Sequence, residues 1–131
     1  MIAIVLLCLS ITQNPDTDEA RLFGEWRWIN VSGGFLGITK TAEETGIRRR
    51  VVFSKDHVAS FYTTTASGDS LTFRNTFFIQ PEITFLSANP KPVLIIQGMN
   101  KKQIIVWSGL DTLTLRENSP DGRLFQYVRI K

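Results

Sequence analysis

The stretch Gly24-Glu25-Trp26-Arg27-Trp28 decides the fold of this chain, together with the final segment 123–131, which carries Arg129. Successive side chains of a β-strand point to opposite faces of the sheet. If Trp26 points inward, three more side chains of this strand share its face: Trp28, Asn30 and Ser32. The sequence therefore predicts a first strand whose inner face begins with two indole rings.

The remainder of the chain repeats this kind of segment. From Arg21 onward, short runs of alternating, β-branched and aromatic residues are bounded by turn residues, which is typical of β-strands. Eight strands and no helix are predicted: Leu22–Ser32, Ile47–Ser54, Val58–Thr65, Ser70–Gln80, Pro92–Gly98, Gln103–Gly109, Thr112–Glu117 and Arg123–Ile130. Their short connections make neighbouring strands antiparallel and sequential. The predicted fold class is all-β, an eight-stranded antiparallel up-and-down β-barrel with room for side chains or one small ligand.

Two connections are longer than turns. Residues Gly33 to Gly46 link the first two strands and carry two apolar residues, Phe35 and Leu36. Loops of this length in compact domains are usually functional or disordered, and Phe35 either plugs the barrel mouth or belongs to a lid that gates a ligand. Residues Pro81 to Lys91 either extend the fourth strand past a proline bend or pack against the barrel as a flap.

Three sequence blocks resemble the lipocalins and their calycin relatives. They are Leu22-Phe23-Gly24-Glu25-Trp26-Arg27-Trp28, then Ser32-Gly33-Gly34-Phe35, and an ending that runs from Asp111-Thr112-Leu113-Thr114-Leu115 through Asp121-Gly122 to Tyr127-Val128-Arg129. In this order they are similar to the small lipocalin-like proteins of Bacteroidetes-type bacteria, many of which are exported or lipid-anchored. The resemblance covers roughly residues 21 to 131.

The resemblance implies a closed, lipocalin-like barrel in which Trp26 lies across one end and Arg129 packs over its indole face. Such a contact combines cation–π attraction with burial of the flat guanidinium group. Gly24, Trp26 and Arg129 are therefore the predicted structural residues. A cup-shaped interior is also implied, and the expected partner is a small hydrophobic or amphiphilic ligand.

Residues 1–20 are predicted to be a signal-like leader and tether, and residues 21–131 to be one barrel domain. The apolar run Ile2 to Leu9 is shorter than the roughly 20 residues of a membrane-spanning helix and fits the apolar core of a secretory signal. The polar stretch Thr12 to Ala20 is predicted to be a flexible tether. We expect an exported protein: periplasmic, outer-membrane-associated or secreted. Cys8, the only cysteine, is either removed with the leader or carries a lipid anchor.

Composition and charge indicate a globular domain with no special partner. The chain has 131 residues, 43% of them hydrophobic, and a formal net charge of +3, which a solvated basic surface explains. The run Arg48-Arg49-Arg50 beside aromatic strands invites comparison with barrels that bind single-stranded nucleic acid. Alternation divides the three arginines between two faces, however, so we expect no binding of nucleic acid. The protein is also expected to be a monomer.

Alternation also predicts the lining of the barrel. Aromatic side chains dominate it, with a few polar groups among them, and this mixture is typical of pockets for small molecules. The predicted ligand-binding residues are Trp28, Phe35, Arg49, Tyr62, Phe73, Asn75, Trp107 and Tyr127. On the third strand Phe61 and Tyr62 compete for the interior. On the sixth, periodicity does not choose between Ile105 with Trp107 and Ile104 with Val106.

Arg49 shares a face with the apolar residues of the second strand, Ile47, Val51 and Phe53. A buried arginine requires a counter-charge or hydrogen-bond acceptors, which an acidic ligand such as a fatty acid would supply. The alternative is that Arg49 lies near the mouth and extends its guanidinium into water.

Catalytic constellations are missing from the sequence. The only histidine, His57, lies in a predicted turn without a second metal ligand nearby, and no glycine-rich phosphate loop is present. The chain is therefore predicted to be a non-enzymatic binding protein without catalytic residues, metal or cofactor. The alternative function is a self-filled structural or protein-interaction module of the cell envelope. A third possibility is an isomerase or cyclase that would depend on Arg49 or Tyr127.

Overall fold

The computed structural model of the protein describes residues 16–34 and 37–130. The predicted leader with Cys8, and the loop residues Phe35 and Leu36, lie outside these ranges. Within them the helices are α1 (Asp16–Leu22) and α2 (Ala42–Thr45), and the strands are β1 (Gly24–Gly33), β2 (Lys40–Thr41), β3 (Arg48–Phe53), β4 (Val58–Thr65), β5 (Gly68–Thr84), β6 (Ser87–Ile96), β7 (Gln103–Trp107), β8 (Thr112–Glu117) and β9 (Arg123–Arg129).

The strands form a single antiparallel sheet that closes on itself. Eight long strands follow one another in chain order, and β1 completes the circle by pairing with β9. The two-residue β2 adds a short pairing to the far part of β1. The predicted all-β, eight-stranded up-and-down barrel is therefore confirmed, with two strands, β4 and β8, at the predicted bounds.

Helix α1 replaces part of the predicted flexible tether. It ends at Leu22, which is completely buried, and its Asp18 accepts a hydrogen bond from the indole nitrogen of Trp107 at 2.9 Å. A helix of seven residues is too short to be stable alone or to show helical periodicity, so contacts with the barrel stabilise it. The prediction of no helix was wrong for this reason. The end of the barrel that α1 covers is called the closed end.

A β-bulge in β1 reverses the faces that alternation predicts. Trp28 lies opposite Tyr127 but Asn30 lies opposite Gln126, so Ile29 is an extra residue in the ladder. Asn30 consequently points outward, where its amide donates a hydrogen bond to Gln126 at 2.9 Å. The inward positions predicted for Asn30 and Ser32 were wrong, because a bulge shifts every following side chain to the other face.

The closed half of the barrel holds a packed aromatic and aliphatic core. Two rings that interlock there, Phe53 and Phe77, have centroids 5.1 Å apart in an edge-to-face arrangement. The core also decides which residues of β4 and β7 face inward, a choice that periodicity left open. Phe61 packs against the core on β4, and Ile105 and Trp107 face it on β7. The fully buried large side chains of this cluster are Leu22, Trp26, Phe53, Phe77, Leu94, Leu113, Leu115 and Val51.

The β5–β6 hairpin combines the two arrangements predicted for residues 81–91. Both strands continue through the region and pair across Pro81 and Pro92. The tip then reaches β8 from outside, where the Arg116 guanidinium lies 5.0 Å from the centre of the Phe85 ring and the Phe85 amide donates to the Asn118 side chain. The hairpin is thus both an extension of the strands and a flap on the outer face.

Trp26 and Arg129 meet at the closed end as predicted. Trp26 is completely buried, and the Arg129 guanidinium lies 4.2 Å from the centre of its ring. Arg129 also donates hydrogen bonds to the carbonyls of Phe23 at 3.1 Å and Arg21 at 2.6 Å. Gly24 has a φ of +129°, which glycine adopts without strain, and this turn connects α1 to β1.

We predict that this contact is a major source of stability. Trp26→Ala should cost about 3–5 kcal/mol because it removes a large buried aromatic, and Arg129→Ala about 1–2 kcal/mol through lost stacking and unpaired carbonyls. The double variant should lose less than the sum, since both changes remove the same contact. Denaturant unfolding of the three variants measures this, and strictly additive losses would contradict it.

Candidate functional site: a cavity at the open end of the barrel

The barrel is not filled towards the end opposite α1, called the open end. At this end β1, β4 and β8 finish, and β3, β5 and β9 begin. A cavity of about 390 Å³ lies there, towards the lower limit of the roughly 300–1,000 Å³ usual for small-molecule pockets. Its lining consists of Trp28, Arg49, Arg50, Phe61, Tyr62, Thr63, Thr72, Phe73, Met99, Phe125 and Tyr127.

The walls of the cavity are mainly aromatic. Phe61 on β4 and Phe73 on β5 face each other with ring centroids 6.0 Å apart, because the register places these residues opposite one another. Phe125 from β9 and Trp28 from β1 also contribute rings. Met99 adds a flexible, polarisable side chain at the rim that adapts to irregular ligand shapes. The cavity can therefore bury an apolar body.

The polar groups of these walls include a guanidinium, a phenol and an indole N–H. The guanidinium of Arg49 is 5.2 Å from the centre of the Trp28 ring, and the residue is exposed at the rim. Burial raises the pKa of Tyr127 to about 12, while the nearby positive charge of Arg49 acts in the opposite direction. The indole nitrogen of Trp28 is buried and has no hydrogen-bond partner among the described residues. The cavity thus offers a cation and a neutral phenol, and the Trp28 N–H is a buried donor within its wall.

Five of the predicted ligand-binding residues line this cavity: Trp28, Arg49, Tyr62, Phe73 and Tyr127. Tyr62 belongs to its edge. Its ring lies 4.1 Å from the Arg50 guanidinium, and that arginine pairs with Glu25 at 2.9 Å and with Asp69 at 2.8 Å. A bulge next to Tyr62 in the β4–β5 ladder lets a side chain of the outer face reach the rim.

Two of the remaining predicted ligand-binding residues, Trp107 and Asn75, do not line this cavity. Trp107 is at the closed end, 5.9 Å from the Trp26 ring and 4.2 Å from the Arg21 guanidinium, because β7 ends under α1. Asn75 faces the barrel opposite Ala59 but bonds to the amide of its neighbour in the chain, Thr76, at 2.8 Å. Phe35 lies outside the described residues.

Sequence reasoning missed part of the lining. Met99 was assigned to a turn and Arg50 to the outer face, yet both border the cavity. Thr63 and Thr72 also border it. The signal for Met99 was available, since it is an apolar side chain in the otherwise polar turn 99–102. Arg50, Thr63 and Thr72 lie beside the bulge between Phe61 and Tyr62 in the β4–β5 ladder, and the sequence does not reveal this bulge.

Neither a metal site nor a membrane-spanning helix is found in the part of the chain that the structure describes. Its histidine, aspartate and glutamate side chains form no group of three that could hold a metal ion. His57 contacts Glu19 of α1 at 2.9 Å and the ring of Phe77 at 5.7 Å. No described helix is long and apolar enough to cross a bilayer.

Comparison with models of protein families finds no match, and comparison with curated proteins finds none. Among solved structures, fatty-acid-binding protein 1 of Echinococcus granulosus is similar, with a TM-score of 0.40 and 12% sequence identity over 86% of this chain and 99% of that chain. The fold of the present chain is established by its own strand order and register.

Tyr127 gives a prediction about alkaline pH. An unfolded tyrosine ionises near pH 10, whereas burial raises the pKa of Tyr127 to about 12 in the folded barrel. The contribution of this group to stability is therefore complete below pH 10 and is lost as the pH rises towards 12. The loss should reach about 2–3 kcal/mol, because one pKa unit corresponds to about 1.4 kcal/mol.

The variant Tyr127→Phe isolates this effect. Its free energy of unfolding should fall less steeply than that of the parent protein above pH 10, and denaturant titrations at a series of pH values measure the difference. Equal slopes for the two proteins would show that the phenol is not buried as described.

Proposed function

We propose that this protein binds a small hydrophobic or amphiphilic molecule in the open-end cavity. The observation that carries the proposal is the 390 Å³ cavity itself, whose aromatic walls adjoin the buried core of the closed half. Apolar walls with a few polar groups are typical of ligand pockets. We expect the apolar body of the ligand to contact Phe61, Phe73 and Phe125.

The polar groups favour a ligand with an acidic or hydrogen-bond-accepting head. Arg49 supplies a positive charge at the rim, and the neutral Tyr127 phenol is a second polar group of the lining. A carboxylate beside Arg49 would gain a charge-assisted hydrogen bond. The proposed ligand is therefore a small carboxylic amphiphile, with its head near Arg49 and its tail among the phenylalanine rings.

A self-filled structural module is the rival function, and it has less support. It requires a barrel interior without a cavity of ligand size, roughly 300 Å³ at the lower limit, whereas the cavity described above exceeds that volume. The apolar residues exposed on the β5–β6 hairpin, Ile83, Phe85 and Leu86, are what an interaction module would use. An enzymatic role has no support beyond Tyr127, which burial keeps neutral.

We further propose that the protein belongs with the exported lipocalin-like proteins of Bacteroidetes-type bacteria and acts outside the cytoplasm. Support comes from the three sequence blocks and from the apolar run Ile2 to Leu9. Cys8 is the candidate site of a lipid anchor. Fractionation of cells that express the full chain, with mass spectrometry of its mature N-terminus, would distinguish cleavage, lipidation and retention in the cytoplasm.

Binding is tested first without assuming the ligand. Native mass spectrometry of the purified protein, followed by organic extraction, should reveal a bound apolar molecule. Titration with fatty acids of different chain length and with a hydrophobic fluorescent dye should show saturable binding. A protein free of ligand that binds none of these probes would contradict the proposal.

The position of the head group is tested with Arg49→Gln. This variant should bind a fatty acid about tenfold more weakly, the loss expected from one charge-assisted hydrogen bond of about 1.4 kcal/mol. Its affinity for the alcohol of the same chain length should stay nearly unchanged. Lys55→Gln, an equal charge change in the exposed β3–β4 turn, is the matched control. Equal losses for acid and alcohol would place the head elsewhere.

A further inference from the structure

A second cavity lies in the barrel wall between β1 and β3. These strands pair only from Gly24 to Arg27 on β1 and from Arg50 to Phe53 on β3, and β2 meets β1 at Asn30, directly after the bulge. Between the two pairings the ladder is open, and α2 bridges the gap. The cavity has a volume of about 570 Å³ and is lined by Arg27, Trp28, Ile29, Ala42, Glu43, Gly46 and Arg48.

The gap brings together arginines that lack partners. Arg27 and Arg48 line it, and Arg49 lies over the neighbouring Trp28 ring; the side chain of none of the three has a hydrogen bond or ion pair with another described residue. By contrast, Arg50 on the same strand is neutralised by two carboxylates. Arg27 and Arg48 bring like charges to one cavity, and like charges repel one another, so an anion in the gap would relieve this repulsion.

The arginine run is divided between the two cavities. Arg48 lines the gap, whereas Arg49 lines the open-end cavity. No β1 residue pairs with either of them, so the β1–β3 ladder ends before it reaches these two arginines. Glu43 is the one carboxylate in the described lining, which leaves a net positive charge around the cavity.

Trp28 provides an independent indication of a ligand. The residue lines both cavities and is only 4% exposed, yet its indole N–H has no partner in the described structure. A buried donor without an acceptor is costly, and native structures normally satisfy such groups. A ligand with an oxygen near Trp28 would supply the missing acceptor.

We propose that the β1–β3 gap is a second binding site, for a small organic phosphate. Guanidinium groups match the geometry of phosphate oxygens and bind them in pairs, which assigns the phosphate to Arg27 and Arg48. The cavity is larger than a phosphate ion alone, and Trp28, Ile29 and Ala42 give it an apolar side that fits an attached carbon group. The two cavities share Trp28 as a common wall, and the phosphate is assigned to arginines that do not line the open-end cavity.

Calorimetric titration at fixed ionic strength tests the proposal with inorganic phosphate and phenyl phosphate. Both should bind saturably, and phenyl phosphate more tightly. Arg48→Gln and Arg27→Gln should each weaken binding about tenfold, the effect of one charge-assisted hydrogen bond, whereas Lys55→Gln should change it less than about twofold because its charge is screened. Trp28→Phe should also weaken binding, with folding verified by denaturant unfolding.

Two competing probes define what would overturn the proposal. Vesicles of anionic phospholipid show whether the phosphate comes from a lipid head group rather than from a soluble ester. A single-stranded oligonucleotide that binds far more tightly than phenyl phosphate would indicate a nucleic-acid surface instead. Absence of saturable phosphate binding, equal losses in the Lys55→Gln control, or complete displacement of phenyl phosphate by a fatty acid would each overturn the second site.

Discussion

The structure depends on one closure, in which the first long strand pairs with the last. At the closed end Trp26 fills the barrel cross-section, donates its N–H to the Leu22 carbonyl at 2.8 Å and supports the Arg129 guanidinium on its ring. Arg129 in turn binds carbonyls at the end of α1. One side-chain pair therefore fixes the helix, the first strand and the last strand relative to one another.

The interior has two different halves. The half beside α1 holds the buried aromatic and aliphatic cluster, while the half beyond Trp28 contains the open-end cavity. Trp28 occupies the boundary, because it belongs to the core cluster and also borders both cavities. The core and the open-end cavity thus meet at consecutive inward residues of one strand, Trp26 and Trp28.

The sequence predicted the features that depend on local pattern. Strand β4 and strand β8 were predicted at their observed bounds, and the Trp26–Arg129 contact was predicted because the resemblance to calycins specifies both residues. The predictions failed where tertiary structure overrides the pattern. The bulge at Ile29 turned Asn30 outward, contacts with the barrel formed α1, and the position of α1 placed Trp107 in the core rather than the cavity.

The open-end cavity was predictable where its strands follow simple alternation. Arg49 and Tyr127 lie on their predicted faces because their strands keep strict alternation up to the rim. The gap between β1 and β3 was not predictable, since it arises from the combination of the bulge, the short β2 and α2. A run of three arginines gives no sign of where a ladder ends.

The course of β6 has a consequence for how the barrel moves. Strand β6 pairs with β5 only from Phe77 onwards, and it pairs with β7 at just two positions. Residues 68–75 of β5 are therefore paired with β4 alone among the described strands. Separating such a stretch breaks fewer backbone hydrogen bonds than separating a strand held on both sides. We therefore expect local opening to be easiest beside Phe73, so that the proposed ligand would exchange with solvent there while the closed end stays folded.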